Sequence, residues 1–265
     1  MPIGWLMDYW EAKVEATLPF LAGRATAMQL VYGGRAVFRR HNADGSFVFV
    51  DTREELLKWA RQHCYSFHPH LDNGVLCFAL DIDRRSDAMP LELAQLAASE
   101  VSAALDALSV RYLLKFSGNR GFHFLWGFRP EDVQHQSQGD IWSFERRIIR
   151  YLREVLEVRL QQHPRHEEFR HAVPEGQPIT VTNSVDKGHA DSLLLDENIV
   201  HPLGSLRSPW SIHPETGLVS LPIDPGELAA FSVEAARPRA VLARGAPVEI
   251  PINAAAPFVP LIAGL

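Results

Sequence analysis

Cysteine is scarce in this chain, positive charge is outnumbered by negative, and long hydrophobic runs do not occur. The two cysteines among 265 residues, Cys64 and Cys77, stand in unrelated contexts and are expected as free thiols of a reducing compartment, which excludes a disulfide scaffold. No apolar stretch is long enough to cross a bilayer. The opening Met1-Pro2-Ile3-Gly4-Trp5 lacks the basic segment followed by an apolar stretch that directs export. The expectation is a cytoplasmic, nucleoid-associated or otherwise intracellular protein with no membrane partner. With 32 acidic against 26 basic side chains the net charge is −6, which excludes a uniformly basic coat for nucleic acid. Repeats and low-complexity blocks are missing as well. The length of 265 residues suffices for one two-lobed core or two small domains, and 46% of them are hydrophobic.

Chemistry-bearing residues are concentrated in three segments. The run Val75-Leu76-Cys77-Phe78-Ala79-Leu80 reads as a strand buried on both faces, and it turns acidic at Asp81-Ile82-Asp83. Successive strand side chains alternate, so Asp81 and Asp83 share a face, roughly 6–7 Å apart along the strand. Such a pair can bridge two hard divalent cations, Mg2+ or Mn2+, in phosphoryl transfer; alone, it reads first as an ordinary solvated strand end neutralised by Arg84 and Arg85. In the second segment, Tyr112 to Phe116 and Phe122 to Trp126 are strand-like runs joined through Ser117-Gly118-Asn119-Arg120-Gly121. Ser117, Arg120 and His123 offer a hydroxyl, a guanidinium and an imidazole to phosphate oxygens, where the plainer reading is a surface hairpin with a core histidine. The third segment has Asp196 after Leu193-Leu194-Leu195, then Arg207, Ser211 and His213. A third carboxylate would complete a metal site, and Arg207 with His213 could reach a triphosphate from the opposite side.

In order, spacing and local wording these segments resemble the archaeo-eukaryotic primase superfamily, the catalytic subunits of primases and related primase-polymerases. The Asp-x-Asp motif is matched by Asp81 and Asp83, and Ser-Gly-x-x-Gly-x-His by Ser117 to His123. The third motif, an Asp followed downstream by a basic residue, a Pro and a Ser-x-His, is matched by Asp196, Arg207, Pro209, Ser211 and His213. The stretch from Ser208 to Gly217 is especially similar to primase small subunits. The resemblance implies that Asp81, Asp83 and Asp196 bind two divalent cations. It implies that Ser117, Arg120, His123, Arg207, Ser211 and His213, with Lys115 assisting, hold the phosphates of an incoming nucleotide. Arg24, Arg39, Arg40 and His41 resemble the strand pair that flanks nucleotide and template, and Phe67-His68-Pro69 is similar to the polymerase domain of bacterial end-joining ligases. Many replicative small subunits carry a zinc knuckle between the second and third motifs. Here that interval has no cysteine, and its His163, His166 and His171 stand in a charge-rich run more typical of a solvated loop, so no zinc is expected.

The implied fold is α/β (α+β), with mixed and antiparallel sheets: an RNA-recognition-like catalytic module, about 75–240, beside an N-terminal α/β module, about 1–74. Residues 241–265 are expected as a tail docking Phe258 and Val259 or as a linker stub. Predicted helices lie near 5–20, 52–63, 90–108, 140–161 and 225–236. Predicted strands lie near 26–32, 35–40 and 46–50, at the three motifs, and after Gly217. Arg146, Arg147, Arg150 and Arg153 lie along the helix with the apolar stripe Ile148, Ile149, Leu152, Val155, Leu156, as a template track or a solvated face. The activity implied is template-directed nucleotidyl transfer in DNA replication or repair, with a DNA template and primer, an NTP or dNTP, and an accessory subunit or fused C-terminal domain lending grip. Alternatives are an end-joining or gap-filling polymerase, a non-catalytic nucleotide-binding regulatory module, and a two-metal phosphohydrolase.

Overall fold

The structure, a computed structural model, describes residues 3–72, 76–134, 141–183 and 191–262. The strand start at Val75, the helix start at residue 140 and the boundary between residues 74 and 75 lie outside them. The elements run α1 (Ile3–Leu21), β1 (Thr26–Tyr32), β2 (Arg35–Arg39), α2 (Arg53–Arg61), β3 (Cys64–Pro69), β4 (Leu76–Arg84), α3 (Leu91–Ala107), β5 (Leu113–Phe116) and β6 (Gly121–Phe128). They continue with α4 (Pro130–Gln134), α5 (Ile141–Gln162), α6 (His166–Ala172), β7 (Thr180–Thr182), β8 (Leu193–Leu195), β9 (Pro222–Ile223), α7 (Pro238–Val241), β10 (Ile252–Asn253) and α8 (Val259–Ile262).

The small sheet has the order β2-β1-β3, antiparallel throughout. Its helices carry apolar residues at helical spacing: Leu6, Trp10, Val14 and Leu21 on α1, Leu56 and Ala60 on α2, all buried. A capping box fixes the start of α2, where Thr52 accepts from the Glu55 N–H and the Glu55 side chain accepts from the Thr52 N–H. Trp10 joins α1 to β3 by donating to the Cys64 carbonyl at 2.8 Å and meeting the Phe67 ring edge-on.

The large sheet has the order β7-β8-β4-β6-β5-β9, with β10 added parallel to the end of β6. Strand alternation divides β4 and β6 cleanly. Phe78, Leu80 and Ile82 stand opposite Trp126, Phe124 and Phe122, and this apolar face is covered by α3 and α5, Phe144 of α5 meeting Phe128 edge-on. The other register positions put Asp81 opposite His123 and Asp83 opposite Gly121. That second face looks toward the small sheet.

Several predicted elements differ. Residues 46–50 form isolated bridges, Ala25 with Phe49 and His41 with Phe47, instead of a strand. The segment after Gly217 pairs by one bridge, Ile212 with Val219, before the two-residue β9. The expected helix near 225–236 is two short 3-10 turns, Pro225–Ala230 and Val233–Ala236, each too brief for a continuous helical stripe. The charged interval contains α6, with Phe169 buried. The C-terminal segment packs: β10 lies along Gly127 and Phe128, and the Phe258 ring stacks on Trp126 at 5.9 Å between centroids. Among the described residues no helix is long and apolar enough to cross a membrane.

Candidate active site

Directly opposed residues in an antiparallel ladder share a face, with Cβ atoms about 4.5–5.5 Å apart. Lys115 stands opposite His123, and His123 opposite Asp81. Because β8 pairs Leu195 with Ile82, and the Asp196 N–H donates to the Asp81 carbonyl at 3.0 Å, the next register position sets Asp196 opposite Asp81. A single row, Asp196–Asp81–His123–Lys115, therefore crosses four strands, with Asp83 one pleat further along β4.

The close approach of β6 to β4 needs glycine at 121. A Cβ there would stand 1.8 Å from the Ile82 carbonyl oxygen and 2.8 Å from Asp83 Oδ1. Gly118 has φ +90° and would bring a Cβ to 3.2 Å from the Leu218 oxygen, so the hairpin turn lies tight against the third segment. The Ser117 hydroxyl accepts from the Asn119 and Gly121 N–H groups, each at 3.2 Å, and so shapes the turn from within.

The third segment reaches this face by running beside β3: Ser205 bridges His70, and the Ser208 and Ile212 N–H groups donate to the carbonyls of Phe67 and Tyr65. It then turns through Gly217 and returns along β5, where the Phe116 N–H donates to the Leu221 carbonyl at 2.9 Å. Arg207 thus spans the two sheets, donating to Ser66 Oγ at 3.0 Å, the Ser117 carbonyl at 3.1 Å and Gln29 Oε1 at 3.3 Å. Ser211 is fully buried; its Oγ accepts from the Phe67 N–H and bonds Ser208 Oγ, tying the segment to β3.

The electrostatics record three carboxylates crowded in a dry place. Burial raises Asp81 to about 6 against the pull of Lys115 and Arg207. Burial, then Asp81, then Asp196 beyond the pull of Arg120 raise Asp83 well above the usual range. Asp196 is raised by burial and by Asp81, although its Oδ1 accepts from the Asn198 N–H at 2.7 Å. Burial lowers Lys115, whose Nζ contacts His123 Nδ1 and donates to Ser220 Oγ at 2.9 Å. Burial and the neighbouring Lys115 and Arg207 hold His123 well below its ordinary value, leaving it neutral. Burial, with Arg207 and Arg120 nearby, lowers His213 to about 4. His213 Nδ1 accepts from the Glu215 and Thr216 N–H groups, at 3.3 and 3.4 Å, which selects the tautomer with its proton on Nε2.

His123 Nε2 lies 3.2 Å from Asp81 Oδ1, yet the two are not aligned as a hydrogen bond, and Asp81 Oδ1 and Asp83 Oδ1 are buried without a partner. Two adjacent orphaned carboxylate oxygens are costly unless a cation meets them. Among the described residues no group of three His, Cys, Asp or Glu side chains forms a ready-made cage. The donor set fits Mg2+ or Mn2+, hard cations that take one or two carboxylates and complete their shell with water and substrate phosphate.

Of the nucleic-acid candidates, Arg39, Arg40 and His41 are exposed. The His41 ring stacks on Phe47, and exposed Phe38 meets His68 edge-on. Arg24 is turned inward and donates to the carbonyls of His70 and Leu71, both at 2.9 Å. Two arginines of α5 brace the segment after Asp196, Arg150 by gripping the Glu197 carboxylate and Arg146 by donating to the Val200 carbonyl. His163 and His166, both half-buried, face Glu100 and Glu167, and the run expected as a solvated loop instead folds into α6 around the buried Phe169. The sequence reading missed Gln29, Ser66 and Ser220, which no local pattern distinguishes; His68 was visible only through the ligase-like wording around it. His68 Nε2 bonds Ser66 Oγ at 2.9 Å, and burial with Arg207 and Lys115 nearby lowers its pKa well below the ordinary value.

A family model described as LigD, primase-polymerase domain, matches residues 35–248. The chain belongs to this family. Membership places it among the primase-polymerase nucleotidyltransferases of the archaeo-eukaryotic primase superfamily. The superfamily resemblance drawn from the motifs stands at that level; the likeness to replicative small subunits in particular has no such support. Among solved structures, the polymerase domain from Mycobacterium tuberculosis ligase D in complex with DNA is similar with a TM-score of 0.65 at 16% sequence identity, over 92% of this chain and 90% of that one. At that identity the likeness is one of fold. No curated protein matches the chain by sequence.

Proposed function

We propose that the chain is a template-directed polymerase that fills gaps or extends ends in DNA repair, adding nucleotides from an NTP or dNTP and releasing pyrophosphate. The observation that carries this reading is the single face on which Asp81, Asp83 and Asp196 meet the cationic and imidazole groups of the second and third segments. Family membership and the DNA-bound relative support a nucleic-acid substrate. Two divalent cations held by Asp81, Asp83 and Asp196 would neutralise charge on the transferring phosphoryl group and activate the attacking hydroxyl.

The remaining groups position and neutralise. Arg207, fixed by three acceptors, and Arg120, at the solvent edge of the hairpin, compensate the triphosphate from two sides. His213 donates from Nε2 to a phosphate oxygen, its tautomer set by the turn behind it. His123 sits between Lys115 and Asp81, its Nδ1 held by the Lys115 ammonium and its Nε2 facing the carboxylate without bonding it, so the imidazole is oriented from one side before a nucleotide arrives. Ser117 and Ser211 act indirectly, by holding the hairpin and the third segment in place. Arg39, Arg40 and His41, interleaved with exposed Phe38 and Phe47, offer phosphate contacts and stacking surfaces for the DNA strands. This local cationic face answers the overall charge of −6, with further grip from an accessory subunit or fused domain.

In the reaction, the oxygen of a chain-end 3′-hydroxyl bonds to the α-phosphorus and the bond to the β-phosphate oxygen breaks. The hydroxyl proton is lost, and pyrophosphate carries off the leaving charge. The test is incorporation with Mn2+ on a gapped, 5′-phosphorylated duplex. Wild type should extend it, and Asp83→Ala should abolish extension while keeping the wild-type circular dichroism spectrum. Extension surviving in Asp83→Ala would refute the site. Products from unprimed single-stranded template would establish primer synthesis as the second reading, and nucleotide binding without pyrophosphate release would indicate a regulatory module.

A further inference from the structure

Lys13 lies in α1 on the face built from Leu6, Tyr9, Trp10 and Val14, and its side chain is removed from solvent. A buried ammonium is tolerated when its three N–H donors find acceptors. Lys13 Nζ meets three carbonyls at the end of α7 and just beyond it, those of Val241, Leu242 at 3.2 Å, and Arg244. The same ammonium stands 4.9 Å from the centroid of the Trp210 ring. Burial lowers Lys13 to about 8, so it is still largely protonated at neutral pH.

Trp210 is unusual in its own right. Its φ of 65° is left-handed, a conformation that a bulky residue adopts only when its surroundings enforce it. The Tyr9 hydroxyl donates to the Trp210 carbonyl at 2.6 Å, and the Trp210 N–H donates to the Ser220 carbonyl at 2.8 Å. Trp210 stands midway between Arg207 and His213.

We propose that Lys13 and Tyr9 are positioning residues, which hold Trp210 in its left-handed turn and thereby set Arg207 and His213 on opposite sides of the triphosphate cradle. The segment around residues 241–244 is the brace that keeps the ammonium over the ring. The kinetic part of this inference rests on the polymerase reading, because it takes Arg207 and His213 as phosphate-binding groups. The structural part does not.

The deciding variant is Lys13→Met, which keeps the stem and removes the charge. The nucleotide KM in gap filling should rise roughly tenfold with kcat changed less than about twofold, the pattern of lost ground-state binding. Trp210→Leu should do the same, the double variant should be no worse than the poorer single one, and Trp210→Phe, which keeps a ring, should restore most of the affinity. In nucleotide-free protein, hydrogen exchange of the Trp210 amide should speed at least about tenfold in Lys13→Met. Should Lys13→Met fail to fold, Tyr9→Phe removes only the hydroxyl and should show the same KM and exchange effects to a smaller degree. A variant that melts lower yet keeps wild-type KM and wild-type Trp210 exchange would overturn the proposal. If wild type itself neither binds nor incorporates nucleotide, the polymerase reading falls, and the exchange measurement alone then decides the clamp.

Discussion

Replacing Asp81 with asparagine should make the nucleotide-free protein more stable at neutral pH while destroying activity. Burial moves Asp81 from its ordinary 3.8 to about 6, and a displacement of about two units corresponds to about 3 kcal/mol. The carboxyl is raised, so its favourable contribution is complete below the ordinary value and is lost as pH rises through about 6. Above that pH, folding forces a charge into a dry site beside Asp83 and Asp196. Asparagine is nearly isosteric and carries no charge. In urea unfolding with a chelator present, Asp81→Asn and wild type should be about equally stable near pH 4 and differ by about 2–3 kcal/mol, in favour of the variant, near pH 7.5. Because Asp83 is raised as well and the two titrate together, the measured step belongs to the pair, which is why the difference between variant and wild type is the quantity to follow. Mn2+ should restore much of the lost stability to wild type and little to the variant. A variant no more stable than wild type near pH 7.5, or one whose advantage does not change with pH, would show that these carboxylates are not held in a desolvated cluster.

Gly121→Ala should unfold or severely weaken the core, by at least about 3 kcal/mol in thermal or urea unfolding, because the new methyl has no room at the Ile82 carbonyl. His213→Ala should weaken nucleotide binding about tenfold. Since His213 is held near 4, the ratio to wild type should stay constant between about pH 5.5 and pH 8 by calorimetric titration; a ratio that follows an imidazole titration near its ordinary value would contradict the assigned tautomer. Phe258→Ala should cost about 3–5 kcal/mol in urea unfolding, because that ring is fully buried against Trp126 and Phe128. Glu197→Gln should lower incorporation several-fold with little loss of melting temperature, since the half-exposed Arg150 partner contributes modestly to stability while the pair orients the backbone beside Asp196.

Asp81 and Asp83 could be read as a shared-face pair because strand alternation is a local property, fixed by the backbone whatever surrounds it. The helix at 52–63 was legible for the same reason: Thr52 and Glu55 form its capping box from residues three apart, and α2 starts where they stand. The hairpin around Gly118 and Gly121 showed itself through glycines whose φ or close contacts leave no substitute. By contrast, nothing near Asp196 says which strand lies beside it. Its place opposite Asp81 depends on β8 docking on β4 in one register, and a shift by one residue would turn it to the other face.

Residue type in sequence therefore determined the kinds of chemistry available and the three segments that carry them, together with the local turns and caps that shape each one. Tertiary structure alone decided that the third segment runs beside β3, so that Arg207 grips Gln29 and Ser66 of the small sheet and Ser117 of the large one. It also decided that Ser117 and Ser211 spend their hydroxyls on the backbone, and that Arg150 serves Glu197. Lys13, an ordinary cation in the sequence, becomes a buried partner of carbonyls more than two hundred residues away. The physical reason is the same in each case: these assignments follow from cross-strand register and burial, which are set by packing between distant segments and leave no periodic trace in the residues themselves.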